Sequence, residues 1–243
     1  MAAPDTAPAA PKHTPVVTDL IRLIRAPFAP TGVFEEQRDT PTFWMPWLIV
    51  SVLFAAVGAL ASPFTVQAMR AAAEAGGRSL PPGSEKFAMI GVVATPLLTL
   101  VLAMIASVFL WLPLMATGAE VRFRGLMCAT IFAWPIAILQ QVLNYVVLSI
   151  KGPESVQSMQ DLQVSLGLDL LLSADAPVST FVRTVLQGIG PLQVWSVVIV
   201  ASGLMALEKV SSGKAWTAAI VSFLAILVVS AGIAAMFTGR AGG

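Results

Sequence analysis

The stretch PLQVWSVVIVASGLMALEKVSSGKAWTAAIV, residues 191–221, decides how this chain folds. Two long apolar runs flank a short break that holds Glu208, Lys209 and Lys214. Ser211, Ser212 and Gly213 supply turn chemistry within it. The pattern predicts a hairpin of two membrane spans. Glu208 and Lys209 close the first span, and Lys214 and Trp216 open the second at the same surface, the lysines reaching for headgroups. A dedicated charged binding site at this break is the weaker reading.

Working outward, the same arithmetic applies to the whole chain. Of 243 residues, 57% are hydrophobic and 11% charged, against about 25% charged in a soluble domain. Residues 40–69, 87–119, 125–150, 184–207 and 215–239 carry no charge at all. A helix needs about 20 mostly apolar residues to cross roughly 30 Å of hydrocarbon, and each stretch is long enough. The expected fold is all-α: a polytopic bundle of five transmembrane helices near 44–62, 88–115, 126–150, 191–207 and 215–237. A soluble helical bundle is the disfavoured rival.

The segments outside the spans are few. Residues 1–17 form an Ala/Pro-rich tail with no apolar h-region, read as disordered and not as a cleaved leader. Residues 18–28, TDLIRLIRAPF, set Leu20, Ile21, Leu23 and Ile24 around Arg22 and Arg25. They predict a short cytoplasmic helix on the membrane surface. In the outer loop, 155–173 places Leu162, Leu166 and Leu170 on one stripe and predicts a surface helix.

Orientation follows Lys and Arg in the loops. One side collects Lys12, Arg22, Arg25, Arg38, Arg122, Arg124, Lys209 and Lys214. The other has Arg70, Arg78, Lys86, Lys151, Arg183 and Arg240, spread over longer loops. This predicts a cytoplasmic N-terminus and a periplasmic C-terminus. Trp44, Trp47, Trp111, Trp195 and Trp216 lie near predicted span ends, where indoles anchor at headgroup level.

Absences limit the chemistry. The one histidine, His13, lies in the tail, so no His-based metal site or Ser–His dyad is expected in the membrane. Glu35 and Glu36 followed by Arg38 hint at the paired-glutamate motif of membrane-embedded prenyl-protein proteases, but the spacing is wrong and histidine partners are missing. Cys128, the single cysteine, reads as a small buried residue. No ionisable group falls inside a span, and five spans do not divide into equal inverted repeats; both features disfavour a coupled transporter. These features point away from an enzyme and imply no cofactor. A net charge of +1 gives no reason to expect nucleic acid.

One intramembrane polar cluster remains, on the third span: Gln140, Gln141, Asn144 and Tyr145. Gln140 and Asn144 share a helix face, Thr130, Ala137 and Gln141 line a neighbouring stripe, and Pro135 frees a backbone carbonyl. Interhelical packing is the favoured use, and the lining of a pathway or lateral groove is the alternative. Candidate partner or headgroup contacts on the cytoplasmic side are Arg22, Arg25, Arg122, Arg124, Lys209 and Lys214.

Three patches resemble the Ypt-interacting-protein (YIP) family. The closing hairpin resembles the family's last two spans at Trp195, Gly203, Leu204, Ser212, Gly213, Lys214 and Ala215, with Leu192 in place of the usual aromatic. The lead-in segment is similar at Pro27, Val33, Phe34, Glu35 to Arg38, Pro41, Trp44 and Pro46. FRGLMCATIFAWPIAIL resembles the third span, with Pro135 inside it. The resemblance covers roughly 18–237, and the long loop 151–190 is closer to bacterial members. What it implies is limited: eukaryotic relatives are linked to small-GTPase binding and membrane traffic, bacterial members mostly lack an assigned activity, and no catalytic residues carry over. Together with the absence of catalytic and intramembrane charged groups, it points to a non-enzymatic inner-membrane scaffold or adaptor for membrane proteins or lipids. The expected partners are the bilayer, other membrane proteins or further copies of the chain. A channel or transporter using the polar face of the third span is the alternative.

Overall fold

The structure, a computed structural model, describes residues 15–77, 83–157, 159–163, 166–172 and 178–239. The tail before residue 15, with Lys12 and His13, lies outside the described residues. So do Arg78, Arg240 and the side chain of Lys86.

Eight α-helices appear among the described residues: α1 (Pro15–Arg25), α2 (Pro30–Glu35), α3 (Trp44–Ala75), α4 (Ser84–Ala116), α5 (Phe123–Lys151), α6 (Thr180–Gln187), α7 (Pro191–Glu208) and α8 (Ser212–Gly239). Five of them, α3, α4, α5, α7 and α8, are long and apolar enough to cross a membrane. The all-helical, five-span architecture expected from composition is the architecture observed. At 1.5 Å per residue the 18 residues of α7 span about 27 Å, close to one hydrocarbon core.

Helix α5 is the centre. Half of its most apolar window is buried, and an unbroken run from Gly125 to Ala133 is inaccessible. It packs against α3, α4 and α7, while α8 closes the bundle against α4 and α7. Hydroxyls staple the spans together. Trp47 Nε1 donates to Thr99 Oγ1 at 3.2 Å, and Ser51 Oγ lies 2.7 Å from the same atom. Ser222 Oγ lies 2.7 Å from the Phe109 carbonyl. In lipid, where apolar contact gives helices little reason to associate, such bonds and close packing do the joining.

Two glycines make that packing possible. A Cβ on Gly203 of α7 would stand 2.8 Å from Ala129 Cβ and 3.1 Å from the Phe34 ring. A Cβ on Gly125 of α5 would overlap the Glu208 carboxylate.

The helices run further than hydropathy alone predicts. α3 continues past residue 62 to Ala75, because PFTVQAMRAAAEA is rich in helix formers although it ceases to be apolar. Pro63 stays within that helix. The loop between α5 and α6 departs from expectation in kind. Among the described residues no single helix covers 155–173; instead there are short 3-10 turns at Pro153–Ser155, Met159–Leu162 and Leu168–Leu171. At Gly167 a Cβ would stand 2.5 Å from the carbonyl oxygens of Leu186 and Gln187, so the loop lies directly on the end of α6. α6 itself was not anticipated, although Ser179 caps it by accepting from the Val182 N–H at 3.3 Å.

The N-terminal helix does more than rest on a surface. α1 and α2 form a hairpin that packs against α3, α5 and α7. Leu23, Ala26, Val33 and Phe34 join Cys128, Phe132 and Ile199 in one buried cluster. The segment runs along α7 from Ala206, whose carbonyl accepts from Arg38 Nε at 2.8 Å, to Trp195, whose indole N–H donates to the Pro27 carbonyl at 2.9 Å. Trp195 is therefore spent on the chain itself and does not serve as a headgroup anchor.

Candidate functional sites at the two ends of the bundle

At one end, α7 finishes where α5 begins, and the two termini satisfy each other. The last carbonyls of a helix lack intrahelical donors, and the first N–H groups lack acceptors. Here the Glu208 carboxylate accepts from the Arg122 backbone N–H at 2.8 Å, at the positive end of the α5 dipole. The Arg122 guanidinium pairs with Glu208 at 3.3 Å and donates to the Leu207 carbonyl at 2.9 Å and the Arg38 carbonyl at 3.0 Å. Arg38 takes the Ala206 carbonyl, as above. The Glu208 side chain is 3% exposed, so the bond is shielded on the acid's side. These groups line a cleft of about 430 Å³ with Asp39, Glu120 and Lys209.

The break that opened the sequence reading is thus a turn whose charges are mostly engaged within the chain. Gly118, at φ +67°, ends α4 in a Schellman motif, with the Ala119 N–H on the Leu114 carbonyl at 3.0 Å. Lys214 Nζ donates to the Thr117 carbonyl at 2.7 Å. Lys209 ends α7 in the left-handed conformation, φ 52°, an uncommon one for a residue with a Cβ. Its side chain is exposed, and so is that of Arg124.

Arg22 and Arg25 act within the hairpin. Arg22 pairs with Asp19 and with Glu36, each at 3.2 Å, and Arg25 pairs with Glu36 at 3.0 Å. Partial burial pushes the Glu36 carboxyl up, but the hydrogen bonds and charges of Arg22 and Arg25 outweigh it and hold it below the usual 4.5. Under the hairpin, Gln37 Oε1 accepts from the Thr42 N–H at 3.4 Å and the Thr42 hydroxyl at 3.3 Å, with Cys128 Sγ at 3.6 Å. Its Nε2 is buried without a partner among the described residues.

At the opposite end the predicted polar cluster holds together only in part. Gln140 Oε1 accepts from Gln193 Nε2, near the start of α7, at 2.9 Å. Gln193 was missed because an amide at the edge of a span carries no distinctive pattern. Gln140, Gln141 and Asn144 line a cavity of about 300 Å³ with Gln163 of the loop between α5 and α6 and Gln187 of α6. Gln141, Asn144 and Tyr145 line a second, of about 280 Å³. Tyr145 stacks edge-on against Phe64, centroids 6.3 Å apart. Gln141 is exposed, with no hydrogen-bond partner among the described residues.

Among the described residues no group of three His, Cys, Asp or Glu side chains could hold a metal ion.

The family-motif residues named from the sequence occupy structural positions. Phe34, Gly203 and Ala129 meet at one contact, and Lys214 caps α4. A family model described as the Yip1 domain matches residues 24–234. No curated protein and no solved structure matches the chain. The match runs from the last residues of α1 across the five long apolar helices, ending within α8, and the chain is a multi-pass membrane protein that belongs to the Yip1 family.

Proposed function

We propose that this protein is a non-enzymatic scaffold or adaptor of the inner membrane, with its N-terminus in the cytoplasm and its C-terminus in the periplasm. In this reading the hairpin end receives a membrane-protein partner. The observation that carries it is a division of labour among the cations. Arg22, Arg25, Arg122 and Lys214 are bonded to the chain itself, while Arg124 and Lys209 stand exposed on the same end. Beside them α1 exposes Leu20, Ile21 and Ile24, an apolar stripe suited to lipid or to another helix.

The test is purification in mild detergent from cells expressing wild type or the double variant Arg124→Glu with Lys209→Glu. A stoichiometric protein partner that co-purifies with wild type and is lost from the variant, at unchanged melting temperature, supports the adaptor. A partner retained by the variant, or absent from both, overturns it.

The second reading, a channel or transporter using the polar face of the third span, draws on the cavity at Gln140, Gln141 and Asn144. Replacing all three with Leu would abolish solute flux in liposomes under that reading. Under the adaptor reading it would leave the co-purifying partner in place.

A further inference from the structure

A cavity larger than those at either end extends to Gln141 and is independent of the adaptor reading. It encloses about 630 Å³ between α3, α4 and α5, with Phe54, Gly58, Gly91, Leu98, Leu102 and Trp134 among its walls. Leu98 and Leu102 are 56% and 49% exposed, so the cavity opens sideways between the helices, toward the bilayer.

Its lining is more apolar than its residue types suggest. Four hydroxyls face it, and each is spent on a carbonyl of its own helix. Ser62 donates to Ala59, Thr65 to Ala61, Thr95 to Gly91 and Thr99 to Pro96, at 2.8 to 3.4 Å. No ionisable side chain among the described residues lines it. Along α4 the walls run from Gly91 to Ala106, which is about 22 Å at 1.5 Å per residue. One leaflet of a 30 Å hydrocarbon core is about 15 Å deep. A hydrocarbon chain fits such a slot, and a hydrated ion does not.

The polar end of the slot is equally defined. Gln141 lines the large cavity and both smaller ones, so the three meet at its amide. Around it stand Gln140, Asn144, Gln163 and Gln187. Gln140 bonds Gln193, three residues into α7, so this cluster lies where that short span reaches the membrane surface. Amides offer both donors and acceptors and carry no charge. An unpartnered amide at the mouth of an apolar slot leaves hydrogen-bonding capacity that hydrocarbon cannot meet.

We infer that this cavity is a binding site for one glycerophospholipid with a net-neutral, zwitterionic headgroup, drawn from the leaflet at the Gln141 end. An acyl chain lies between α3, α4 and α5, and the headgroup is held by the amides of Gln140, Gln141, Asn144, Gln163 and Gln187. A headgroup that balances its own charge suits a mouth lined by amides, whereas a net-anionic one would find no cation among the described residues that line it.

The experiment is native mass spectrometry of the delipidated full chain, titrated with phosphatidylethanolamine or phosphatidylglycerol of matched acyl chains. Wild type is expected to retain one phosphatidylethanolamine under activation that strips phosphatidylglycerol. Gly91→Leu is expected to abolish that retention, because a Cβ at Gly91 meets nothing within 4 Å and the added side chain is free to fill the slot. Gln141→Leu should weaken retention roughly tenfold, the equivalent of about two membrane hydrogen bonds, and remove the headgroup preference. Equal retention of both lipids by wild type overturns the inference. So does retention unchanged in the two variants, or solute flux lost in Gln141→Leu with lipid retention intact. Should Gly91→Leu fail to fold, Gln141→Leu decides alone.

Discussion

The two ends of the bundle treat polar groups in opposite ways. At the Arg122 end the Ala206 and Leu207 carbonyls, which the terminus of α7 would leave open, each hold an arginine, and Glu208 caps the next helix. At the Gln141 end Gln193 donates to Gln140, and Gln141 has no hydrogen-bond partner among the described residues. One end is closed by its own charges. The other is left open by neutral groups, and cavities follow from that. At the helix termini charge is consumed in structure, and only Arg124 and Lys209 are left exposed among the cations singled out at that end; an amide is tolerated unpaired at smaller cost and is left to meet something else.

The contrast breaks most visibly at the close contact of α7 with α5 and the hairpin. Gly203→Leu is expected to destabilise the protein by about 3 kcal/mol, the upper range for overpacking. Gly213→Leu, where nothing lies within 4 Å, should be neutral or slightly stabilising; paired thermal melts in detergent measure both. Next comes Glu208→Ala. It strips a carboxylate that is 3% exposed from Arg122, with an expected loss of about 2 kcal/mol. Glu208→Gln, which keeps an acceptor for the Arg122 N–H, should lose less. If Glu208→Ala costs no more than a typical surface substitution, the closed end is not closed.

The open end should respond weakly. A double-mutant cycle of Gln140→Leu and Gln193→Leu is expected to show coupling of about 0.6 kcal/mol. A coupling several times larger would make that end no looser than the other.

The smallest effect concerns pH at the hairpin. The folded Glu36 carboxyl is held below its unfolded value of 4.5, so its contribution is fully present above pH 4.5. It is lost as the pH falls through the folded value. The pair is well exposed, so solvent screening keeps the contribution to about a few tenths of a kcal/mol. Thermal melts in detergent at pH 7 and pH 4 measure it: the melting temperature of wild type should fall slightly more on acidification than that of Glu36→Gln.

Much of the architecture was legible in the sequence because hydropathy is additive and local. Each span announces itself through a charge-free run, and the turn at 208–214 through Ser211, Ser212 and Gly213. What lay beyond reach depends on distant contacts. Nothing in the pattern of Glu208 distinguishes a turn residue from the cap of a helix that starts 86 residues earlier, at Arg122. Arg22 and Arg25 read as headgroup contacts because the hairpin that brings Glu36 back to them is a tertiary event. The helical stripe at 155–173 was outweighed by the close approach of Gly167 to the end of α6. Gln140, Gln141 and Asn144 were visible as a cluster, but the bond from Gln193 to Gln140 and the lack of a partner for Gln141 among the described residues were not.

The spans differ in length as well as in chemistry. α7 has 18 residues, about 27 Å, while the apolar part of α4 has 28, about 42 Å. No flat bilayer matches both. Lipid beside α7 must thin, or α4 must tilt, at a cost that rises with every ångström of hydrophobic mismatch. The bilayer beside α7 and the bilayer beside α4 are therefore under opposite demands, which local thinning at the one or tilt of the other relieves.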